Sequence, residues 1–133
     1  DMTMKNNELF QKAQSARYLA LELAHNANES HSGGAMSMAG VLITLYANYL
    51  NNTPQTQNEV NRDRFILSKG HCCSLYYAIL AEMGFFTKQE LLDNFAKNGT
   101  HFFAHASHTL PGVELSTGSL GHGLPVSCGL ALG

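Results

Sequence analysis

The 133-residue chain has no tryptophan, three prolines and three cysteines, and only 14% of its residues are charged. Each shortage excludes something. Two of the cysteines, Cys72 and Cys73, are adjacent and the third, Cys128, stands apart. Such a set cannot build the disulfide framework of a small secreted domain, and reduced thiols in a cytoplasmic setting are the simpler reading. Eight Lys and Arg against ten Asp and Glu give a net charge of -2 with no basic run, which argues against a nucleic-acid surface. The most apolar run, residues 38–47, is far shorter than the roughly 20 residues a membrane span needs. No charged and then apolar opening reads as a signal peptide, and no repeat or low-complexity tract is present. What remains, 44% hydrophobic residues in the length of one ordinary domain, is enough for a real core. Both ends read as cuts, since the chain opens at Asp1 and stops at Ala131-Leu132-Gly133 inside an apolar stretch.

Periodicity orders the rest. Leu9, Ala13, Ala16, Ala20, Leu23 and Ala27 alternate steps of four and three, which predicts an amphipathic helix over residues 8–27. Residues 26–34 are polar and include a Gly-Gly pair, which places His31 in a break before a second helix over 36–49. The wide band of Met38, Val41, Leu42, Leu45, Tyr46 and Tyr49 there predicts burial on more than one side. Residues 51–63, rich in Asn, Gln and Thr, read as a surface connection. Arg64-Phe65-Ile66-Leu67-Ser68, closed by Gly70, reads as a buried strand of a parallel sheet, which would set His71 just past a strand end, where α/β folds gather ligands. Leu75, Ile79, Leu80 and Met83 predict a helix ending at Gly84. Thr87-Lys88-Gln89-Glu90 is a capping box that predicts another through about Ala96. Residues 100–112 carry no periodicity but hold His101, His105 and His108.

The stretch with most chemical character is Ser116-Thr117-Gly118-Ser119-Leu120-Gly121-His122-Gly123, running into a helix begun by Leu124-Pro125-Val126. Glycines let a backbone approach a ligand with bare amides and carbonyls, and a following helix start adds a positive dipole end. His31, His71 and His105 each fall on a break between elements, where such a site would be assembled. His25 reads as solvated, while His101, His108 and His122 could face a site or water. His71-Cys72-Cys73 and the later histidines supply zinc ligand types, but no Cys-x-x-Cys or His-Glu-x-x-His spacing supports zinc. Cys128, among Val126, Leu130 and Leu132, reads as a small buried apolar residue. Ser74 and Ser116 lack a nucleophile-elbow setting.

Read together, Arg62-Asp63-Arg64-Phe65-Ile66-Leu67-Ser68-Lys69-Gly70-His71, Leu110-Pro111-Gly112-Val113-Glu114 and Ser116-Thr117-Gly118-Ser119-Leu120-Gly121-His122-Gly123 resemble the amino-terminal part of transketolase over nearly the whole chain. The likeness is strongest to split transketolases, whose amino-terminal half is a separate subunit. It implies an α/β thiamine diphosphate-binding fold with helices around a parallel sheet, this piece being mostly helical with one clear strand. Residues 1–133 would be its amino-terminal part, incomplete at the C-terminal end. The implied activity is transfer of a two-carbon ketol unit from a ketose or its phosphate to an aldose or its phosphate, in the cytoplasm. Alternatives are a related thiamine enzyme such as deoxyxylulose-phosphate synthase, or a non-catalytic partner-binding subunit.

By the same resemblance His71 contacts the cofactor diphosphate beside the thiazolium, and the backbones of Gly118 and Leu120 hold the aminopyrimidine. His105 would recognise the donor sugar near its first hydroxyl, and His31 would move a proton at the acceptor oxygen. An imidazole suits that work because its ordinary pKa lies near neutrality. No metal ligand is assigned within the chain; the ligands of the implied Mg²⁺ are expected beyond Gly133. A C-terminal half or subunit, in a homodimer or heterotetramer, would complete the enzyme. The family commonly shows Ser-Gly-His-Pro-Gly where this chain has Glu29-Ser30-His31-Ser32-Gly33, a proline at Ala106 and a glutamine at His122. These departures point to an unusual sugar.

Overall fold

The computed structural model describes residues 4–133. It contains α1 (Asn6–Asn26), α2 (Ser32–Asn48), a single 3₁₀ turn (Gly70–Cys72) running into α3 (Cys73–Glu82), α4 (Lys88–Asn94) and α5 (Gly123–Leu132). α3 lies at the centre. Every residue from Cys73 to Ala81 is buried, as expected of a helix that is apolar on all sides. α1 and α2 pack on it and on each other. α1 turns Leu9, Ala13, Ala16, Leu19, Ala20, Leu23 and Ala24 inward, and the alanines let the helices approach closely. Buried hydroxyls in this core need partners. Tyr46 and Tyr76 meet hydroxyl to hydroxyl at 2.9 Å, and Tyr76 also reaches the Gly112 carbonyl oxygen at 3.0 Å.

Several helix boundaries differ from expectation for local reasons. α2 begins at Ser32 rather than at residue 36, so the Gly-Gly pair lies inside its first turn. There a side chain at Gly34 would bring its Cβ within 2.8 Å of the Cys72 sulfur and 3.6 Å of His71 Nε2. The glycine therefore allows α2 to seat against the 3₁₀ turn. α4 starts as the capping box predicts, with the Glu90 amide donating to Thr87 Oγ1 at 3.0 Å. It ends at Asn94, short of residue 96, because the Ala96 amide donates to the Phe102 carbonyl at 2.7 Å and Ala96 takes a φ of 55°.

Three expectations are corrected. Among the described residues there is no strand: residues 63–67 form neither helix nor turn, and no neighbouring strand pairs with them. A partly buried connecting run and a sheet strand share the same apolar signature, and only the presence of partner strands separates them. α2 is buried on one side only, through Ala35, Ala39, Leu42, Ile43 and Tyr46, while Val41 and Tyr49 are exposed because nothing packs over them. Cys128 is exposed as well, since α5 buries only its first residue, Gly123, and leaves Leu124, Leu130 and Leu132 open. No helix of the described residues is long and apolar enough to cross a membrane.

Cys72 and Cys73, by contrast, are buried, and burial pushes both thiols above their ordinary range. The thiolate is the reactive form, so both should be inert. Iodoacetamide at pH 8 is expected to leave these two cysteines unmodified in the folded protein and to modify them only after denaturation, as peptide mass spectrometry would show.

Candidate active site

Three loops meet at the N-terminal end of α3. The first, between α1 and α2, presents His31, which stands immediately before the first residue of α2. The second is the run from residue 63 that ends in the 3₁₀ turn carrying His71. The third is the irregular segment 95–122, carrying His105 and then the glycine loop. Nothing local joins them. Their imidazoles nevertheless lie together, His31 to His71 at 5.4 Å and His31 to His105 at 6.3 Å between ring centroids. An ideal Cβ on Gly118 would stand 3.5 Å from His105 Cδ2, which puts the glycine loop against the same cluster. Leu120 lies further along that loop with its side chain 68% exposed, so its backbone, rather than its packing, is what it offers.

The loops are held by backbone crossing backbone. Gly70 accepts from the Ala106 amide at 3.3 Å, Ala106 accepts from the Thr117 amide at 3.1 Å, and Thr117 Oγ1 donates to the Leu67 carbonyl at 2.6 Å. This lattice permits no side chain at residue 70, whose Cβ would fall 2.6 Å from the Thr117 carbonyl carbon. Gly123 is excluded from bearing a side chain in the same way, by Ser68 at 2.5 Å. Glu114 clips the start of the glycine loop to the run before the 3₁₀ turn. It accepts from Arg62 Nη2 with both oxygens, at 3.0 and 2.7 Å, and from Arg64 Nη1 at 3.1 Å. The carboxylate is mostly shielded, so these charge-assisted bonds are screened less than exposed ones would be.

His105 is placed by the core. The Tyr77 hydroxyl, rooted in α3, donates to the His105 carbonyl at 2.9 Å and accepts from the buried Ser107 amide at 3.1 Å. Burial pushes this phenol upward, so it stays a protonated donor. Tyr77→Phe would leave both backbone groups without their partner, and a loss of about 1–3 kcal/mol is expected from urea denaturation.

The other histidines go elsewhere. His108 turns away to Ser116, with Nδ1 at 2.7 Å and its amide at 3.0 Å from Ser116 Oγ, which braces the loop. His25 and His101 are exposed, and His122 is exposed at the start of α5. Sequence reasoning named Glu29 only within the departing loop around His31 and gave it no role of its own; it is half-buried. Burial raises its carboxyl above the ordinary range, while His31 and His105 draw it back down. The signal available was a carboxylate two residues before a loop histidine. Among the described residues no group of three or more His, Cys, Asp or Glu is placed to hold a metal ion.

A cavity of about 480 Å³ opens elsewhere, beside Asn52, Arg62, His108 and Glu114, and its lining includes none of the three clustered imidazoles. The cluster itself combines convergent nitrogen donors and acceptors with a glycine backbone that a flat heterocycle could approach.

Comparison with known proteins gives this arrangement a family. The chain is 38% identical over 112 residues to one subunit of the apulose-4-phosphate transketolase of Phocaeicola vulgatus, a match covering 84% of this chain and 40% of that one. It is 37% identical over 118 residues to the transketolase of Halalkalibacterium halodurans, covering 87% of this chain and 18% of that protein. The crystal structure of transketolase from Campylobacter jejuni superposes with a TM-score of 0.88 at 31% identity, over 96% of this chain and 20% of that one. The chain thus spans less than half the length of these relatives. Residues 10–133 match the sequence model of the transketolase thiamine diphosphate-binding domain, and the chain belongs to that family.

Proposed function

We propose that this chain contributes the cofactor-binding side of a transketolase-type transferase, which moves a two-carbon ketol unit from a ketose or its phosphate to an aldose or its phosphate. The observation that carries the reading is the convergence of His31, His71 and His105 beside Gly118. The residues present fit thiamine diphosphate. A glycine at 118 leaves the space a side chain would fill, and the neighbouring loop backbone is exposed for hydrogen bonding to a pyrimidine. They do not fit Mg²⁺, which wants oxygen ligands, because the side chains gathered at this cluster are imidazoles. Mg²⁺ enters the proposal only as a companion of the diphosphate, with no residue of the described chain assigned to it.

Bound thiamine diphosphate would supply the carbon nucleophile that opens the bond next to a ketose carbonyl. The protein does the rest. His71 would contact the diphosphate at the thiazolium side, carried on the 3₁₀ turn between buried Gly70 and Cys72. The backbones of Gly118 and Leu120 hold the aminopyrimidine. His105, its carbonyl pinned by Tyr77, recognises the donor near its first hydroxyl. His31 gives or takes a proton at the acceptor oxygen, where negative charge develops. The exposure of His31 and His105 and the open apolar face of α5 call for a partner half, in a homodimer or heterotetramer, to close the site and exclude water. The free cysteines suit a cytoplasmic setting.

The test is ketol transfer by the full-length protein assembled with its partner half. Transfer that depends on thiamine diphosphate and Mg²⁺ supports the reading, and its absence with every ketose donor overturns it. Product analysis across several ketose donors separates a transketolase from a deoxyxylulose-phosphate synthase-like enzyme.

A further inference from the structure

The cavity beside Arg62 and Glu114 holds a polar group that the fold leaves unsatisfied. Asn52 lines it and is only 3% exposed, and its buried Oδ1 has no hydrogen-bond partner among the described residues. The backbone on either side of it is pinned. The Asn51 amide donates to Asp63 Oδ2 at 2.6 Å and the Asn51 carbonyl accepts from the Asp63 amide at 3.0 Å, while the Thr53 amide donates to Thr56 Oγ1 at 3.0 Å. A bare buried acceptor is destabilising, so one held in the wall of a cavity marks where a donor from outside the chain belongs.

The rest of the wall says what kind of molecule brings that donor. Two more amides, those of half-buried Gln57 and exposed Asn58, line the same cavity together with exposed His108. His108 Nδ1 is engaged by Ser116 Oγ at 2.7 Å, which leaves Nε2 as the ring nitrogen for a ligand. The charges in the lining cancel. Arg62 commits Nη2 to both oxygens of Glu114 and Nη1 to the Glu59 carbonyl at 3.0 Å. An anion entering here therefore meets no uncommitted cation among the lining residues, and an apolar molecule would strand the amides. An amide both donates and accepts, as a hydroxyl does, so three of them suit a molecule that carries several hydroxyls. The cavity of about 480 Å³ lies within the roughly 300–1,000 Å³ of small-molecule sites, and one water, at about 30 Å³, would not fill it.

We infer that this cavity binds a neutral polyhydroxylated molecule, a sugar or polyol, with one hydroxyl donating to Asn52 Oδ1 and others meeting Gln57, Asn58 and His108. The site is separate from the imidazole cluster, and it does not rest on the ketol-transfer reading.

Xylitol is the probe, because it lacks a carbonyl and so can neither give nor accept a ketol unit. Calorimetric titration of the full-length protein assembled with its partner half is expected to show saturable binding. Asn52→Leu, close in shape but without the amide, should weaken it about tenfold, roughly 1.4 kcal/mol. The melting temperature should be unchanged or higher, because an unpartnered buried acceptor adds nothing to the fold. Asn58→Ala, at an exposed residue, should weaken binding about threefold, as loss of one modest hydrogen bond does, and it decides the matter if Asn52→Leu does not fold. Absence of xylitol binding by the wild type would assign the Asn52 amide to ordered water and overturn the inference. So would undiminished binding in folded Asn52→Leu, or tighter binding of inorganic phosphate that Asn52→Leu removes.

Discussion

His71→Ala is expected to lower ketol transfer by the complete assembly by about 10- to 100-fold, the range for removing a hydrogen bond to a charged group such as the cofactor diphosphate, worth about 1.5–3 kcal/mol. Stability should scarcely change. The ring is half-exposed, and the fixed parts of its turn are Gly70, pressed against Thr117, and Cys72, whose amide donates to the Lys69 carbonyl at 2.8 Å. Truncating a half-exposed ring away from such features costs within about 0.5 kcal/mol. Two readouts should therefore separate, with kcat/KM collapsing while the melting temperature stays. Undiminished transfer would remove the role assigned to His71. Loss of both together would show that the ring is part of the packing.

Gly70→Ala should produce the reverse pattern, with a large loss of stability and loss of cofactor binding as its consequence. The added Cβ falls 2.6 Å from the Thr117 carbonyl carbon, which is backbone and cannot rotate aside. Overpacking of this kind costs about 1–3 kcal/mol. The shift also disturbs the bonds linking Gly70, Ala106, Thr117 and Leu67, each worth about 1 kcal/mol. Because Thr117 precedes Gly118, the displaced loop no longer lies against His105. The control is Gly40→Ala, within α2, where an added Cβ meets nothing within 4 Å. There the helix should gain about 0.5–1 kcal/mol. Chemical denaturation of the two variants should show midpoints moving in opposite directions; a fall of equal size in both would mean that glycine freedom, and not the crossing of backbones, governs residue 70.

Local signals carried far in this chain. α1 was legible because Leu9, Ala13, Ala16, Ala20 and Leu23 recur at helical steps on the face that is buried, and α4 because Thr87 and Glu90 stand at capping-box spacing. The end of α3 was legible in Gly84, which takes a φ of 87°. Whatever depends on distant partners was harder to read. Residues 64–68 have the composition of a strand, but pairing is decided by other segments. The exposure of Cys128, Val41 and Tyr49 depends on what covers α5 and the outer side of α2, which periodicity cannot tell. His105 and His108 are three residues apart on one irregular segment. One joins the cluster because Tyr77 holds its carbonyl, and the other leaves because Ser116 captures its ring. Glu114 was visible as a motif residue, but its two arginine partners lie some 50 positions away. The convergence of the three histidines itself came from resemblance; no spacing in the sequence encodes distances of 5.4 and 6.3 Å between loops so far apart.

The most direct measurement is a structure of the complete assembly with thiamine diphosphate bound. The thiazolium is expected in van der Waals contact, about 4 Å, with His71. The aminopyrimidine should be hydrogen-bonded to backbone groups of Gly118 and Leu120, with His31 and His105 facing the carbon that reacts. A cofactor seated away from these rings, with residues 118–123 free of it, would contradict the roles assigned to all five residues.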